Sequence, residues 1–318
     1  MAARSFDPVL KWAGGKRQLL PEILRRLPEK IDTYYEPFVG GGAVFFALAH
    51  ERRFKKAVLT DQNPDLIAVY RALKSNLKRL MEVLKEHDAK HCEDYYYSVR
   101  DELETTSLVE RAARMIYLNK TGFNGLYRVN RSGKFNVPFG RYDKPRILDE
   151  PRLIAANKAL ENVEIAIADF EKSCKRAKPG DAVYLDPPYL PVSSTANFSD
   201  YHAEPFGIEE HERLASAFGE LAERGVYALL SNSHTKDTRA IFSKFEVEVV
   251  KARRSINSVK SRRGPVGEIL VSNRSVGAKS RGEGKDWVPA LSRDAGLELE
   301  KKRLERGHAP QRRAKVGR

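Results

Sequence analysis

Short apolar runs alternate with helical repeats through most of this chain, and no other feature narrows its fold as much. That alternation is the pattern of an α/β protein with a largely parallel sheet. Candidate strands lie at 34–38, 57–61, 163–167, 182–186, 226–231 and 247–250. Two of them end on an acidic residue at a turn, Asp61 and Asp186. Open α/β sheets bind ligands outside the carboxyl ends of their strands, so these two carboxylates are the first candidates for a site.

Between the second and third candidate strands the pattern changes. Leu66, Ile67, Val69, Tyr70, Leu73, Leu77 and Leu80 recur at helical spacing, and 111–118 is a further helical stretch. From Asn119 to Tyr142 Gly, Asn, Arg and aromatic residues dominate, the composition of hairpins or an ordered loop. The expected organisation is a discontinuous sheet domain, 1–64 and 151–274, interrupted by a helical and hairpin insertion at 65–150. After Asn273 the apolar periodicity fades, and 275–318 is expected to be a largely disordered basic tail with one helix at 295–306.

Charge bears on the partner. Over 318 residues, 57 Lys and Arg against 43 Asp and Glu leave a net charge of +14, which favours a polyanion. The tail holds +6 of this, with 12 basic and 6 acidic residues, and the body keeps about +8. With 41% hydrophobic and 31% charged residues the chain has the balance of a soluble globular protein. It carries no apolar run near the ~20 residues of a membrane helix. The opening Met1-Ala2-Ala3-Arg4-Ser5-Phe6-Asp7 lacks the apolar stretch of a signal peptide. Cys92 and Cys174 are the two cysteines and lie far apart, so a reducing, cytoplasmic setting without a disulfide framework is expected. The seven histidines show no HExxH-like spacing, and no metal is expected.

Phe38-Val39-Gly40-Gly41-Gly42 follows a candidate strand and precedes a helical stretch at 43–49. Glycines at such a junction let backbone N–H groups come close to a ligand. Asp61 ends the next strand 21 residues after Gly40, the spacing at which a carboxylate meets a ribose diol in nucleotide-binding α/β folds. No GKS or GKT follows, which excludes a Walker phosphate loop. The pairing favours an adenosine-containing cofactor, and on these residues alone NAD stays open.

The sharpest signal is Asp186-Pro187-Pro188-Tyr189, directly after the buried run Val183-Tyr184-Leu185. Two prolines fix φ and remove two backbone donors. The residue before each proline is pushed to extended geometry, which leaves carbonyls free to accept from a ligand. A carboxylate, an exposed carbonyl and an aromatic ring at one strand end suit an exocyclic amine on a flat base. A plain Asp-Pro-Pro turn is the bland alternative, and it needs neither the Tyr nor the aromatic-rich stretch that follows.

Together these motifs resemble the Dam-type (D12 class) DNA N6-adenine methyltransferases. Asp186-Pro187-Pro188-Tyr189 looks like the catalytic motif of the N6-adenine enzymes, and Phe38-Val39-Gly40-Gly41-Gly42 resembles their FxGxG cofactor motif. Leu10-Lys11-Trp12-Ala13-Gly14-Gly15-Lys16 is similar to the KWAGGK segment of the D12 branch. Residues 117–130 and 133–142 resemble its target-recognition segment. The motifs occur in that branch's order and cover about 8–274.

The resemblance implies a Rossmann-like S-adenosylmethionine-dependent sheet domain, with 65–150 as the part that reads duplex DNA. It implies cofactor contacts from Trp12, Lys16, Phe38, Gly40, Gly42, Asp61, Asp169, Phe170 and Asp186. Asp61 would take the ribose hydroxyls, and Asp169-Phe170 would sit beside the cofactor's adenine. Asp186 and the Pro187 carbonyl would accept from the N6 amine, with Pro188 completing the loop and Tyr189 stacking on the flipped base. Phe123, Asn124, Arg128, Asn130 and Pro138 would contact DNA, and members of this branch typically read GATC. The segment at 195–201 resembles one that covers the target base.

The basic stretches 253–257 and 260–264 suit phosphate contacts through Arg254 and Asn257, although a solvated basic loop has the same composition. The absence of a Pro-Cys nucleophile motif argues against cytosine C5 chemistry. A monomer is expected, with any cognate restriction endonuclease acting separately. The competing readings are an RNA adenine-N6 methyltransferase and a catalytically silent DNA-binding protein of the same fold.

Overall fold

The computed structural model describes residues 7–12, 14, 16–102, 107–130, 132–190, 206–253 and 265–273. Arg254, Asn257, the stretch at 195–201 and the tail at 275–318 lie outside the described residues.

Seven strands form one sheet in the order β3-β2-β1-β4-β5-β7-β6. They are β1 (Ile31–Glu36), β2 (Phe54–Asp61), β3 (Val163–Ile167), β4 (Ala182–Leu185), β5 (Tyr227–Ser233), β6 (Glu246–Arg253) and β7 (Pro265–Ser272). The first five run parallel, and β7 enters antiparallel between β5 and β6. Every residue of β4 and β5 is buried. Strands covered on both faces read as continuous apolar runs, which is why these two were legible. The six expected strands are all present, with β1 starting at Ile31 and stopping at Glu36. The seventh, β7, was not expected. It opens on Pro265 and contains Gly267 and Glu268, residues depleted in strands, and tertiary pairing overrides that local preference.

Chain order reverses between β1 and β4, which pair directly through Tyr34–Ala182 and Tyr35–Val183. A crevice therefore opens outside the carboxyl ends of these two strands, and it is here that doubly wound sheets hold their ligands.

Helices cover both faces. On one lie α1 (Leu20–Arg26), α2 (Ala43–His50), α3 (Pro64–Ser75), α4 (Leu77–Ala89), α5 (Glu93–Asp101), α6 (Leu108–Thr121) and α7 (Glu150–Ala159). On the other lie α8 (Phe170–Arg176), α9 (Ile208–Glu223) and α10 (Lys236–Ile241). The helices between β2 and β3 have no separate core. Leu66, Leu73, Leu80, Tyr96 and Ile116 pack in one cluster with Tyr34, Leu59 and Val163 of the sheet. Fully buried side chains of this kind contribute roughly 1.5–3 kcal/mol each. A rigid base thus extends from the sheet to the end of α6, where the irregular stretch begins.

Local signals explain the ends that matter. Asn63 caps α3, its side chain accepting from the N–H groups of Asp65 and Leu66 at 3.0 and 3.1 Å, and Pro64 occupies the first turn. Asp169 caps α8 by accepting from Glu171 N–H at 3.0 Å. Gly42 precedes α2 with φ 69°, a left-handed conformation that favours glycine.

Candidate active site

β4 delivers Asp186 to the switch point. The carboxylate is about one-fifth exposed, at 21%. Its Oδ1 accepts from Ser231 Oγ on β5 at 2.9 Å and lies 2.9 Å from the Lys16 ammonium. Ser231 Oγ is in turn 2.8 Å from the Tyr184 hydroxyl. Burial raises the pKa of Asp186, and the Lys16 charge is the largest influence opposing it. Pro187 is buried, while Pro188 and Tyr189 are half-buried. Tyr189 donates to Glu268 of β7 at 2.9 Å, and the Lys16 ammonium sits 4.7 Å from the centre of its ring. The ring expected to stack on a base is therefore oriented by a carboxylate and has a cation over one face. Behind it, Glu36 at the end of β1 is buried and its pKa is pushed up to about 8 by that burial, against a 2.8 Å hydrogen bond from Tyr34.

On the other side of the switch point the glycine loop and the end of β2 lock together. Gly40 N–H donates to Asp61 Oδ2 at 3.2 Å and Asn63 N–H to Oδ1 at 3.0 Å. Tyr70 donates to the Gly40 carbonyl at 2.9 Å. Trp12 lies on this loop: a Cβ added to Gly40 would fall 2.7 Å from Trp12 Cδ1. The indole also stacks on Tyr127, with centroids 5.4 Å apart. Phe38 stacks on Phe170 at 5.5 Å and meets Phe206 edge-on at 5.7 Å. Asp169 accepts from Gln62 at 3.1 Å and pairs with Arg213, whose guanidinium carbon lies 4.5 Å from the centre of the Phe170 ring. The structure thus brings Trp12, Gly40 and Asp61 into one group and Phe38, Asp169 and Phe170 into another, which Gln62, next to Asp61, joins. Lys16 stands with Asp186. Among the described residues no group of three or more His, Cys, Asp or Glu could hold a metal ion.

Asn119, at the end of α6, ties the N-terminal segment to the irregular stretch. Its side chain accepts from Lys11 N–H at 2.9 Å and donates to the carbonyls of Lys11 and Gly125 at 2.8 and 3.1 Å. Beyond it a short 3-10 turn (Phe123–Gly125) projects Phe123, which is 50% exposed, and holds Asn124 at φ 56°. Phe123 N–H donates to the Pro138 carbonyl at 2.9 Å, which places those two exposed residues side by side. Arg128 is exposed and anchored by Asn136, with Nε donating to Oδ1 at 2.7 Å and one Nη to the carbonyl at 3.0 Å. Asn130 has a structural part as well. Its Oδ1 accepts from the N–H groups of Ser132 and Lys134, both at 3.0 Å, so the side chain closes the turn of the hairpin.

Comparison with known proteins places the chain in a family. The family model for D12 class N6 adenine-specific DNA methyltransferases matches residues 12–256. The chain belongs to this family. It is 42% identical over 276 residues to the Type II methyltransferase M1.LlaDCHI of Lactococcus lactis, covering 85% of this chain and 96% of the relative. It is 40% identical over 284 residues to Type II methyltransferase M.MjaIII of Methanocaldococcus jannaschii, covering 84% and 98%. It is also 40% identical over 264 residues to the DNA adenine methylase of Escherichia coli, covering 82% and 93%. The chain is a site-specific DNA adenine methyltransferase.

Several groups of this D12 enzyme escaped the reading of its sequence. Glu268 sits on the strand that was missed. Glu36 lies two residues before the glycine motif and looks like ordinary strand surface, yet the fold buries it against Tyr34 and the backbone of α2 at Phe45. Ser231 was visible as the last residue of an apolar run, and the strand-end rule that picked Asp61 and Asp186 applies to it as well. Asn119 carries no local signal, because its partners are 108 and 6 residues away.

Proposed function

We propose that this protein transfers a methyl group from S-adenosylmethionine to N6 of an adenine flipped out of duplex DNA. The observation that carries the reading is Asp186 at the switch point, its Oδ1 held by Ser231 and Lys16, beside the Asp61–Gly40 loop. The residues at this edge fit an adenosine-containing donor. Asp61 is fixed by two backbone N–H groups for a ribose diol, and the stacked Phe38 and Phe170 form a wall for a flat ring. Trp12, Gly40 and Gly42 complete the cradle, and Asp169 orients the start of α8. When bound, the sulfonium supplies an electrophilic methyl carbon.

Everything else falls to the chain. An aromatic amine is a poor nucleophile because its lone pair is delocalised into the ring. Asp186 and the Pro187 carbonyl accept its two N–H bonds, which favours a pyramidal nitrogen and localises the lone pair. With the donor bound, the nitrogen would displace sulfur from the methyl carbon, the electron pair of the broken bond would go with the sulfur, and the N6 proton held by Asp186 would pass through that carboxylate to solvent. No covalent enzyme intermediate is needed, and positioning with electrostatics supplies the rate. Tyr189 stacks on the base, and Pro188 stiffens the loop. Unstacking the adenine costs a few kcal/mol.

Phe123, Asn124 and Pro138 present an apolar and polar edge to the duplex, Arg128 reads a base, and Asn130 shapes the hairpin that carries it. Arg254 and Asn257 serve phosphates in this reading, in keeping with the net charge of +14. The favoured site is GATC, read by a cytoplasmic monomer that acts apart from any cognate endonuclease. Among the described residues no helix is long and apolar enough to cross a membrane.

The test is to incubate the protein with labelled S-adenosylmethionine and unmethylated duplexes, with and without GATC, and analyse the nucleosides. N6-methyladenine confined to one duplex sequence is expected. Its absence from every duplex would sink the reading, and transfer to RNA alone would replace it. Asp186→Ala is expected to fold and to lose transfer, and an active variant would remove the role given to that carboxylate.

A further inference from the structure

A buried hydroxyl chain stands behind the catalytic carboxylate. Ser231 is fully buried on β5, one residue past the Leu185–Leu230 pair that aligns β4 with β5, and so lies directly beside Asp186. A serine hydroxyl has one proton to give and two lone pairs. An ionised carboxylate can only accept, so the Ser231 proton goes to Asp186 Oδ1 across 2.9 Å. The 2.8 Å contact with Tyr184 must then run the other way, from the phenol to the serine. Tyr184 is 1% exposed, and burial holds it in the protonated form that this direction requires. Among the described residues the serine and the lysine both engage Oδ1.

We propose that Ser231, oriented by Tyr184, is a positioning residue for methyl transfer: it fixes the rotamer of Asp186 and occupies Oδ1, so that Oδ2 meets the target amine. The inference rests on the reading of Asp186 as the amine acceptor. The other groups facing Asp186 are Lys16 from the N-terminal segment, Tyr189 from its own loop, and Glu36 and Tyr34 from β1, while Glu268 of β7 lies beyond, on the Tyr189 hydroxyl. None of these can replace the serine as a neutral donor from the β5 side. The arrangement differs from a proton relay, because nothing needs to leave Tyr184.

The test compares Ser231→Ala, Ser231→Cys and Ser231→Thr in the full chain, by steady-state kinetics over a pH series with melting curves alongside. Losing a buried hydrogen bond to a charged group corresponds to a kcat drop on the order of 10- to 100-fold. Ser231→Ala and Ser231→Cys should show this drop, with KM for DNA and for S-adenosylmethionine within about threefold of the parent. Their acid limb should move to higher pH, since Asp186 loses a donor that favours its ionised form. Ser231→Thr keeps the hydroxyl and should restore both rate and limb, and Tyr184→Phe should move them in the same direction by less. If Ser231→Ala does not fold, Ser231→Cys keeps the volume and decides the matter. Parental kcat and an unmoved acid limb in the cysteine variant would overturn the proposal, as would equal losses in the cysteine and threonine variants. A parent chain inactive on every duplex would instead sink the reading on which it rests.

Discussion

Replacing Gly40 by alanine separates two costs that a glycine loop can hide. The first is conformational. Gly40 has φ 46°, and an L-residue in the left-handed region gives up roughly 1–2 kcal/mol. The second is steric and specific to this site. The new Cβ would stand 2.7 Å from Trp12 Cδ1 and 3.0 Å from Nε1, with Trp12 itself stacked on Tyr127. The indole must retreat by about 1 Å to reach ordinary contact, which costs part of an aromatic pair worth about 0.5–1.5 kcal/mol. The sum is roughly 2–3 kcal/mol, and for a chain of this size each kcal/mol shifts Tm by about 2–4 °C. Gly133 provides the control, since it has φ 72° and nothing within 4 Å of a built Cβ. Gly133→Ala should show the conformational cost alone. Calorimetry and titration with S-adenosylhomocysteine check the difference. Gly40→Ala is expected to melt lower than Gly133→Ala and to bind the cofactor product at least tenfold more weakly. Equal melting of the two variants with parental binding would refute the idea that Trp12 is seated on Gly40.

Two further outcomes follow from contacts away from that loop. Asn136→Ala removes the Nε–Oδ1 bond that orients Arg128 and keeps the bond to the main-chain carbonyl of residue 136, so discrimination at one base pair should fall by up to roughly tenfold, and Arg128→Ala should lower it further, within the 1–3 kcal/mol of a bidentate base contact; a panel of singly altered duplexes checks this, and an unchanged preference in both Asn136→Ala and Arg128→Ala counts against the base-reading role. For Glu36 the folded pKa of about 8 stands above the ordinary 4.5. The folded state therefore holds a proton that the unfolded chain has lost, and burying this group becomes progressively more unfavourable as pH rises from about 4.5 to 8. Glu36→Gln keeps the shape and removes the ionisation, so its stability relative to the parent should rise across that window and level off above it. Denaturant melts at pH 5 and pH 8 measure the change, and a constant difference would show that Glu36 does not titrate there.

What could be read from the chain was whatever a short window records. β4 and β5 are buried on both faces and appear as apolar runs; Asp186 and Asp61 appear because a turn follows them; the glycine loop appears because Gly40 and Gly42 need positive φ. What could not be read is whatever depends on a partner brought from elsewhere. β7 is a strand because β5 and β6 flank it on both sides, and its own Pro265 and Gly267 argue against it. Its arrival puts Glu268 against Tyr189 across 79 residues of sequence. The Phe170 wall behaves likewise, since Arg213 covers it from another helix.

This division has a chemical consequence. In the proposed mechanism the groups that meet the amine stand in a contiguous motif, Asp186 to Tyr189, and a window finds them. The groups that orient those atoms, Ser231, Lys16 and Glu268, come from β5, the N-terminal segment and β7. Positioning supplies much of the rate in a displacement that forms no covalent enzyme intermediate. A chain that kept Asp186-Pro187-Pro188-Tyr189 but lost the register of β5 on β4 would therefore keep its motif and lose its activity. The Leu185–Leu230 pairing, which sets that register, is as much a part of the methyltransferase as the motif itself.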